Sequence, residues 1–266
     1  MTEPGGKVLR SRVAVPVVAL YTAWQAAGLP QLHRALIAQI DFDEDQLAEG
    51  DLSGLNALAR NSWGALEQLG LARGGQIHPD LASTLRLIAE ATTEYYAFFS
   101  HEDSQTCTAL TVRNGDEAVR VVLTPDNTFV LEPIRPEDAA QALIAALPPT
   151  PPGKGGPISL PGDALEAKPQ RYEDTGSFMQ QSRPTSTPHD QQVQQLRKIM
   201  SEQRTGGGQL YAAWRDSRGR KQRCENPLTF FDTISGRYIT QKTSGWLNVM
   251  PGDFTTLARL TAELPA

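Results

Sequence analysis

Cysteine is close to absent. Only Cys107 and Cys224 occur among 266 residues, which excludes the disulfide framework of a small secreted domain, and the lack of any Cys-x-x-Cys pair excludes a zinc site of that kind. Long apolar runs are missing too. The single candidate, Val13 to Leu20, contains Pro16 and is followed by Tyr21, Thr22 and Gln25, so no membrane insertion is expected. Neither sign of charge dominates: 25 Lys and Arg stand against 30 Asp and Glu, a net −5, which suits a soluble chain and gives no reason to expect nucleic-acid binding. The four histidines, His33, His78, His101 and His189, stand apart from any Ser, Cys or carboxylate pattern, so no catalytic residues are expected. Asp41, Asp43 and Asp45 have the first spacings of a calcium loop, but Gln46 and Leu52 stand where that loop needs Gly and Glu. The segment reads as a solvated helix start, with no metal site. Gly206-Gly207-Gly208 lacks a following Gly-Lys-Ser/Thr and precedes a strand, so it is no phosphate loop and no cofactor is implied.

What is present is a pattern that occurs twice. From Pro227 to Leu264, β-branched and aromatic residues alternate in three short runs broken at Ser235-Gly236 and Ser244-Gly245. This predicts a meander, closed by a helix that Asp253 caps and that carries Phe254, Leu257, Leu260 and Leu264 on one apolar stripe. The stretch from Tyr95 to Leu147 repeats this order, with turns at Asn114-Gly115 and Pro125-Asp126-Asn127. Tyr96-Ala97 recurs as Tyr211-Ala212, Cys107 as Cys224, and Phe129 is matched by Trp246. The opening Val13 to Leu20 likewise matches Ile158 to Leu165, each a short strand stopped by Pro with a helix behind it. Lys7, Arg10 and Arg12 before the first of these look like the start of a secretory signal, but the internal copy favours reading it as part of the fold. The first half also holds an insertion of about thirty residues, the length of one helical hairpin. The expected fold is α+β: a central antiparallel sheet from two strand-helix-meander-helix repeats, 11–148 and 149–266, quasi-two-fold symmetric, in one domain spanning 1–266.

Between the meanders, helices are expected over Val17 to Trp24 (ended at Gly28), over Leu32, Leu36, Ile37 and Ile40, over Leu55 to Leu69, and from Pro79 through Leu81, Leu85 and Ile88, where His78 has a capping role. Residues 1–10 are expected to fray. Pro148 to Asp190 is rich in Pro, Gly, Ser and Thr, and 170–188 is expected to be a mobile loop. The connection at His101-Glu102-Asp103 is acidic, whereas the matching one carries Arg215, Arg218, Arg220, Lys221 and Arg223. That basic hairpin leaves a second reading open, a non-enzymatic binder of nucleic acid or of a regulatory protein.

Several motifs, in order, resemble the EspG family of type VII (ESX) secretion chaperones: Leu69-Gly70-Leu71, Gly75-Gln76-Ile77-His78-Pro79-Asp80-Leu81, Ile158-Ser159-Leu160-Pro161, Gly207-Gly208-Gln209-Leu210, Pro227-Leu228, Asp232-Thr233, Gly236-Arg237-Tyr238 and Trp246 to Leu264. The resemblance implies a central antiparallel sheet flanked by helical bundles. It also implies a cytoplasmic, non-enzymatic role: binding a PE/PPE-type heterodimer through the apolar PPE tip, keeping it soluble, and delivering it to a component of the secretion machinery. In the family a loop between strands and the C-terminal helical bundle touch cargo. By position that loop is Glu102, Asp103, Ser104 and Gln105, the expected partner-binding residues. Asp232 is expected to accept from nearby backbone N–H groups. The insert near 170–188 and the short first hairpin depart from the family pattern and point to a divergent member with another cargo.

Overall fold

The computed structural model describes residues 7–37, 52–101, 106–162 and 187–265. Among them the strands are β1 (Val13–Pro16), β2 (Ala72–Arg73), β3 (Gln76–Ile77), β4 (Thr93–His101), β5 (Cys107–Asn114), β6 (Glu117–Thr124), β7 (Thr128–Pro133), β8 (Ile158–Pro161), β9 (Arg204–Arg215), β10 (Lys221–Arg223), β11 (Leu228–Thr233), β12 (Gly236–Thr243) and β13 (Trp246–Pro251). The helices are α1 (Val17–Ala26), α2 (Leu52–Gln68), α3 (Pro79–Glu90), α4 (Ala139–Ile144), α5 (Pro188–Ser201) and α6 (Phe254–Glu263).

Eleven strands form one sheet, in the order β1-β7-β6-β5-β4-β9-β11-β12-β13-β8, with β10 paired to β9 alone; β2 and β3 make a separate hairpin. All pairings between these strands are antiparallel. Read inwards from either edge, the order is a four-residue edge strand, three meander strands and one long central strand. The central strands β4 and β9 meet with Tyr96 directly opposite Tyr211. Both edge strands end in proline, Pro16 and Pro161. The turns sit where left-handed backbone is needed: Gly115 has φ +58°, Asn127 +55°, and the Ser244-Gly245 pair +50° and +82°. Positive φ at both central residues matches the twist of a two-residue hairpin.

The two faces of the sheet are buried differently. One face packs on α4 and α6, where Leu143, Ile144 and Leu257 meet Tyr95, Ala97, Phe99, Leu210, Phe230 and Ile239. The other face carries α1, α2 and α3 over its first half, where Leu20, Leu66, Leu81, Leu85 and Ile88 meet Leu110, Val121, Phe129 and Leu131. Over the second half of that face α5 contributes Leu196 and Ile199 against Phe231, Tyr238 and Val249. At about 25 cal/mol per Å² such burial is the main term holding the sheet and helices together.

Helix ends follow the expected chemistry. His78 Nδ1 accepts the Asp80 N–H at the start of α3, and Asp253 Oδ1 accepts the Thr256 N–H at 2.8 Å to open α6. Thr187 and Asp190 form a reciprocal capping box on α5, so Thr187 and Pro188 belong to a helix start; 170–186 lies outside the described residues, as do Asp41 to Asp45.

Other expectations need correction. Residues 7–10 do not fray: Val8 is buried, and the Lys7 and Leu9 N–H groups donate to Asp80 and Thr84 along α3. In place of a helix after Pro30, the described part is one 3-10 turn, Arg34–Leu36, with Ile37 exposed. The Thr108 hydroxyl takes the Ala35 carbonyl at 2.6 Å and the Tyr21 hydroxyl takes that of Leu36 at 2.7 Å. Acceptors that a longer helix would use are therefore spent on tertiary contacts. Gly206 to Gly208 do not precede the strand; they lie within β9. A Cβ on Gly208 would come within 2.5 Å of the Phe98 carbonyl, which is why the centre of the sheet tolerates glycine there. Phe254, placed on the buried stripe of α6, is half exposed.

Candidate functional site

The expected partner-binding residues Glu102, Asp103, Ser104 and Gln105 lie outside the described residues, in the connection between β4 and β5. Their surroundings are described. β4 ends at His101 opposite Gly206, and the neighbouring start of β9 pairs Arg204 with Thr233 of β11. The β11–β12 turn therefore sits at the same end of the sheet. Its Ile234 is 72% exposed and Met200, at the end of α5, 44%. Such side chains are worth more in contact with an apolar partner than with water. The Arg204 guanidinium lies 3.6 Å above the centre of the Phe231 ring and donates to the Met200 sulfur. Desolvation there lowers the Arg204 pKa from its usual value. The turn itself is wired: Thr233 Oγ1 accepts the Ser235 N–H and donates to the Gly236 carbonyl, and the Ser235 hydroxyl donates to Glu202. The Thr233 and Ser235 side chains hold the Glu202 carboxyl below its usual pKa range. The result is an apolar tip on a stiff mount, with one cation and one carboxylate at its rim.

Beneath this turn is a buried ion pair that corrects the expectation for Asp232. Among the described residues its carboxylate accepts no backbone N–H; it takes both forks of Arg237, each at 2.7 Å, and the Thr150 hydroxyl at 3.2 Å. Arg237 also donates to the Pro148 carbonyl and stacks 4.6 Å from the centre of Phe230. Residues 148–153, from the Pro-rich segment, are thereby strapped across β12, where Gly153 lies under the Tyr238 ring and donates its N–H to the Arg237 carbonyl, while the Arg237 N–H donates to the Pro151 carbonyl. Between that strap, the end of α4 and Phe254 runs a groove of about 460 Å³.

A second polar cluster lies at the other end of β4. His33 Nε2 and Lys221 Nζ share the Glu94 carboxylate, at 3.1 and 2.7 Å, while His33 Nδ1 accepts the Ala35 N–H. That acceptor role fixes the neutral Nε2–H tautomer. Burial is the largest influence on His33 and lowers its pKa, against the pull of Glu94. Burial alone would raise the Glu94 pKa; hydrogen bonds from His33 and Lys221 overcome it and hold the carboxylate below its usual range. His33 is thus not isolated, although 61 residues separate it from Glu94. Beside it Tyr96 stacks on Tyr211, with the Arg34 guanidinium 5.1 to 5.4 Å from the centres of Tyr96, Phe98 and Tyr211. Lys221 and Glu94 satisfy each other, so the cluster mounts the hairpin on the sheet and leaves no free base aimed at a cavity.

Neither Cys107 nor Cys224 is in a disulfide; Cys224 Sγ accepts the Ala212 N–H. Among the described residues no group of three His, Cys, Asp or Glu is placed to hold a metal ion, and no helix is long and apolar enough to cross a membrane.

The candidate surface is therefore the end of the sheet that carries Met200, Arg204 and Ile234. No curated protein matches the sequence. Among solved structures, the chain is similar to the Mycobacterium tuberculosis type VII secretion system chaperone EspG5, solved in complex with a PE25–PPE41 dimer. The TM-score is 0.60 at 12% identity, covering 96% of each chain. The family model described as the EspG family matches residues 16–263, nearly the whole length, and the chain belongs to that family.

Proposed function

We propose that this chain is a type VII secretion chaperone, cytoplasmic and non-enzymatic, that binds a PE/PPE-type heterodimer by the PPE tip, keeps it soluble and hands it to a component of the secretion machinery. Membership of the EspG family across residues 16–263 carries this reading. The likeness over 96% of both chains to a chaperone solved with a PE–PPE dimer supports the choice of partner. The contact is assigned to the end of the sheet that presents Met200, Arg204 and Ile234, together with the adjoining Glu102, Asp103, Ser104 and Gln105. An apolar tip on a stiff turn fits an apolar partner because little side-chain ordering remains to be done on binding.

Co-expression with PE/PPE pairs encoded nearby tests the function. A ternary complex that survives size exclusion is expected with a cognate pair, and failure with every such pair overturns the reading. Replacing Ile234 and Met200 by Asp should weaken that complex about thirtyfold or more, the scale of an interface hot spot, with the unfolding midpoint unchanged. An undiminished complex removes the assignment to this end of the sheet.

The chain is further read as one domain of two repeats, 11–148 and 149–266, related by a quasi-two-fold axis near the Tyr96–Tyr211 pair. The matching order of strands from each edge supports this. A single cooperative unfolding transition is expected; two resolved transitions would refute the single domain.

A further inference from the structure

We propose that the opposite end of the sheet is a second docking surface, built for an acidic protein segment and separate from the surface assigned to cargo. β9 runs from Arg204 at the Ile234 end to Arg215, so at about 3.3 Å per residue the two surfaces lie roughly 35 Å apart. The β9–β10 hairpin extends past Thr93, the first residue of β4, which pairs with Trp214. Its tip at 216–220 therefore projects beyond the central strands.

The tip is prefolded. Asp216 Oδ1 accepts the N–H groups of Arg218 and Arg220, and its Oδ2 accepts from the Arg220 guanidinium and the Gln222 amide. Gly219 turns the chain at φ +75°. These bonds hold the Asp216 carboxyl below its usual pKa range, with the Arg220 backbone the largest cause. At the base, Lys221 is anchored on buried Glu94 and Arg215 donates to the carbonyls of Ala91 and Gly219.

The charge balance is one-sided. Two carboxylates, Asp216 and Glu94, are matched by Arg220 and Lys221. Arg215, Arg218 and Arg223 then have no carboxylate in salt-bridge contact among the described residues, and Arg218 and Arg223 are exposed. Glu225, two residues past Arg223, is the next acidic residue after Asp216 and forms no ion pair with them among the described residues. A positive tip on a chain of net charge −5 is a local field, not a bulk one, which suits recognition of a few carboxylates better than of a polyanion that the rest of the surface would repel.

An apolar anchor lies beside it. Asn226, at the hairpin's exit, lines an open hollow of about 630 Å³ with Lys242, Ser244, Gly245 and Trp246, and Trp246 is 48% exposed. Tryptophan is among the residues enriched where interfaces concentrate their binding energy, and here it shares the hollow with the Lys242 cation. An acidic segment with one apolar side chain for the hollow is the complementary ligand.

The test uses the full-length chain and a fluorescent Glu/Asp-rich peptide containing one Leu, with a single-stranded oligonucleotide as comparator. Peptide binding that weakens with added salt is expected, with a loss of about tenfold or more in the double variant Arg218→Glu, Arg223→Glu, and a loss in Trp246→Ala that salt does not change. Retention of the PE/PPE complex by both variants is also expected, so failure here is distinguishable from failure of the cargo reading. No peptide binding, undiminished binding by the charge-reversed variant, or tighter binding of the oligonucleotide overturns the proposal.

Discussion

The two buried ionic clusters do opposite things with the same chemistry. Asp232 and Arg237 are 1% and 5% exposed at the side chain, bonded through both forks and closed off by Thr150 and Pro148. Glu94 is as deeply buried, but one of its partners is a 31% exposed lysine and the other a histidine. The first is closed off on all sides by hydrogen-bonding partners. The second is open at one side, where Lys221 reaches solvent, and it includes a histidine whose pKa burial lowers. The lesson is that a buried carboxylate serves as a rivet or as a mount depending on what it is paired with, not on how deep it lies.

Removing one partner separates them most clearly. Arg237→Ala leaves Asp232 charged, buried and unpaired and releases the 148–153 strap, so chemical denaturation should show a loss of about 3–5 kcal/mol. Replacing the pair by apolar residues of similar volume, Asp232→Leu with Arg237→Met, should cost less than the single change. A double variant no better than the single one would mean that the strap contacts, not the uncompensated charge, carry the effect. Glu94→Gln should cost less, about 1–3 kcal/mol, because Lys221 can turn to solvent. A loss as large as that of Arg237→Ala would erase the distinction drawn here.

The response to pH sharpens it further. His33 and Glu94 both have folded-state pKa values below their ordinary ones, so each contributes stability that is complete above its unfolded pKa and is lost as pH falls towards its folded value. For His33 the loss begins below about pH 6.5, and for Glu94 only in the carboxylate range. The unfolding midpoint should therefore drop between neutral and mildly acidic pH. His33→Asn, which can still accept the Ala35 N–H but does not titrate, should flatten that drop, and an unchanged slope would assign it elsewhere. Smallest of all, Arg259→Ala breaks an exposed pair with Glu263 and should move stability by no more than about 0.5 kcal/mol.

How legible these features were in the sequence depended on distance along the chain. Gly115, Asn127, Gly245 and the caps His78 and Asp253 announce themselves within a few residues, because turn and cap chemistry is local. The Asp232–Arg237 pair left a readable trace too: opposite charges flanking a two-residue turn face each other across the hairpin, yet Asp232 was expected to serve backbone groups. Nothing local marks the meeting of His33, Glu94 and Lys221, which the sheet order alone brings together. Gly206 to Gly208 read as a break because glycine punctuates chains more often than it fills the middle of a sheet. At the candidate site, the motif order identified the family, and the tip formed by Met200, Arg204 and Ile234 was missed. A lone Ile between Thr and Ser in a turn was its only signal.

The four-residue edge strands closed by Pro16 and Pro161 have a consequence for self-association. Proline has no N–H to offer a newcomer, and so short a border gives an intruding chain few bonds to form. A broad sheet that ends this way discourages its own growth into fibres by edge-to-edge pairing, even at high protein concentration.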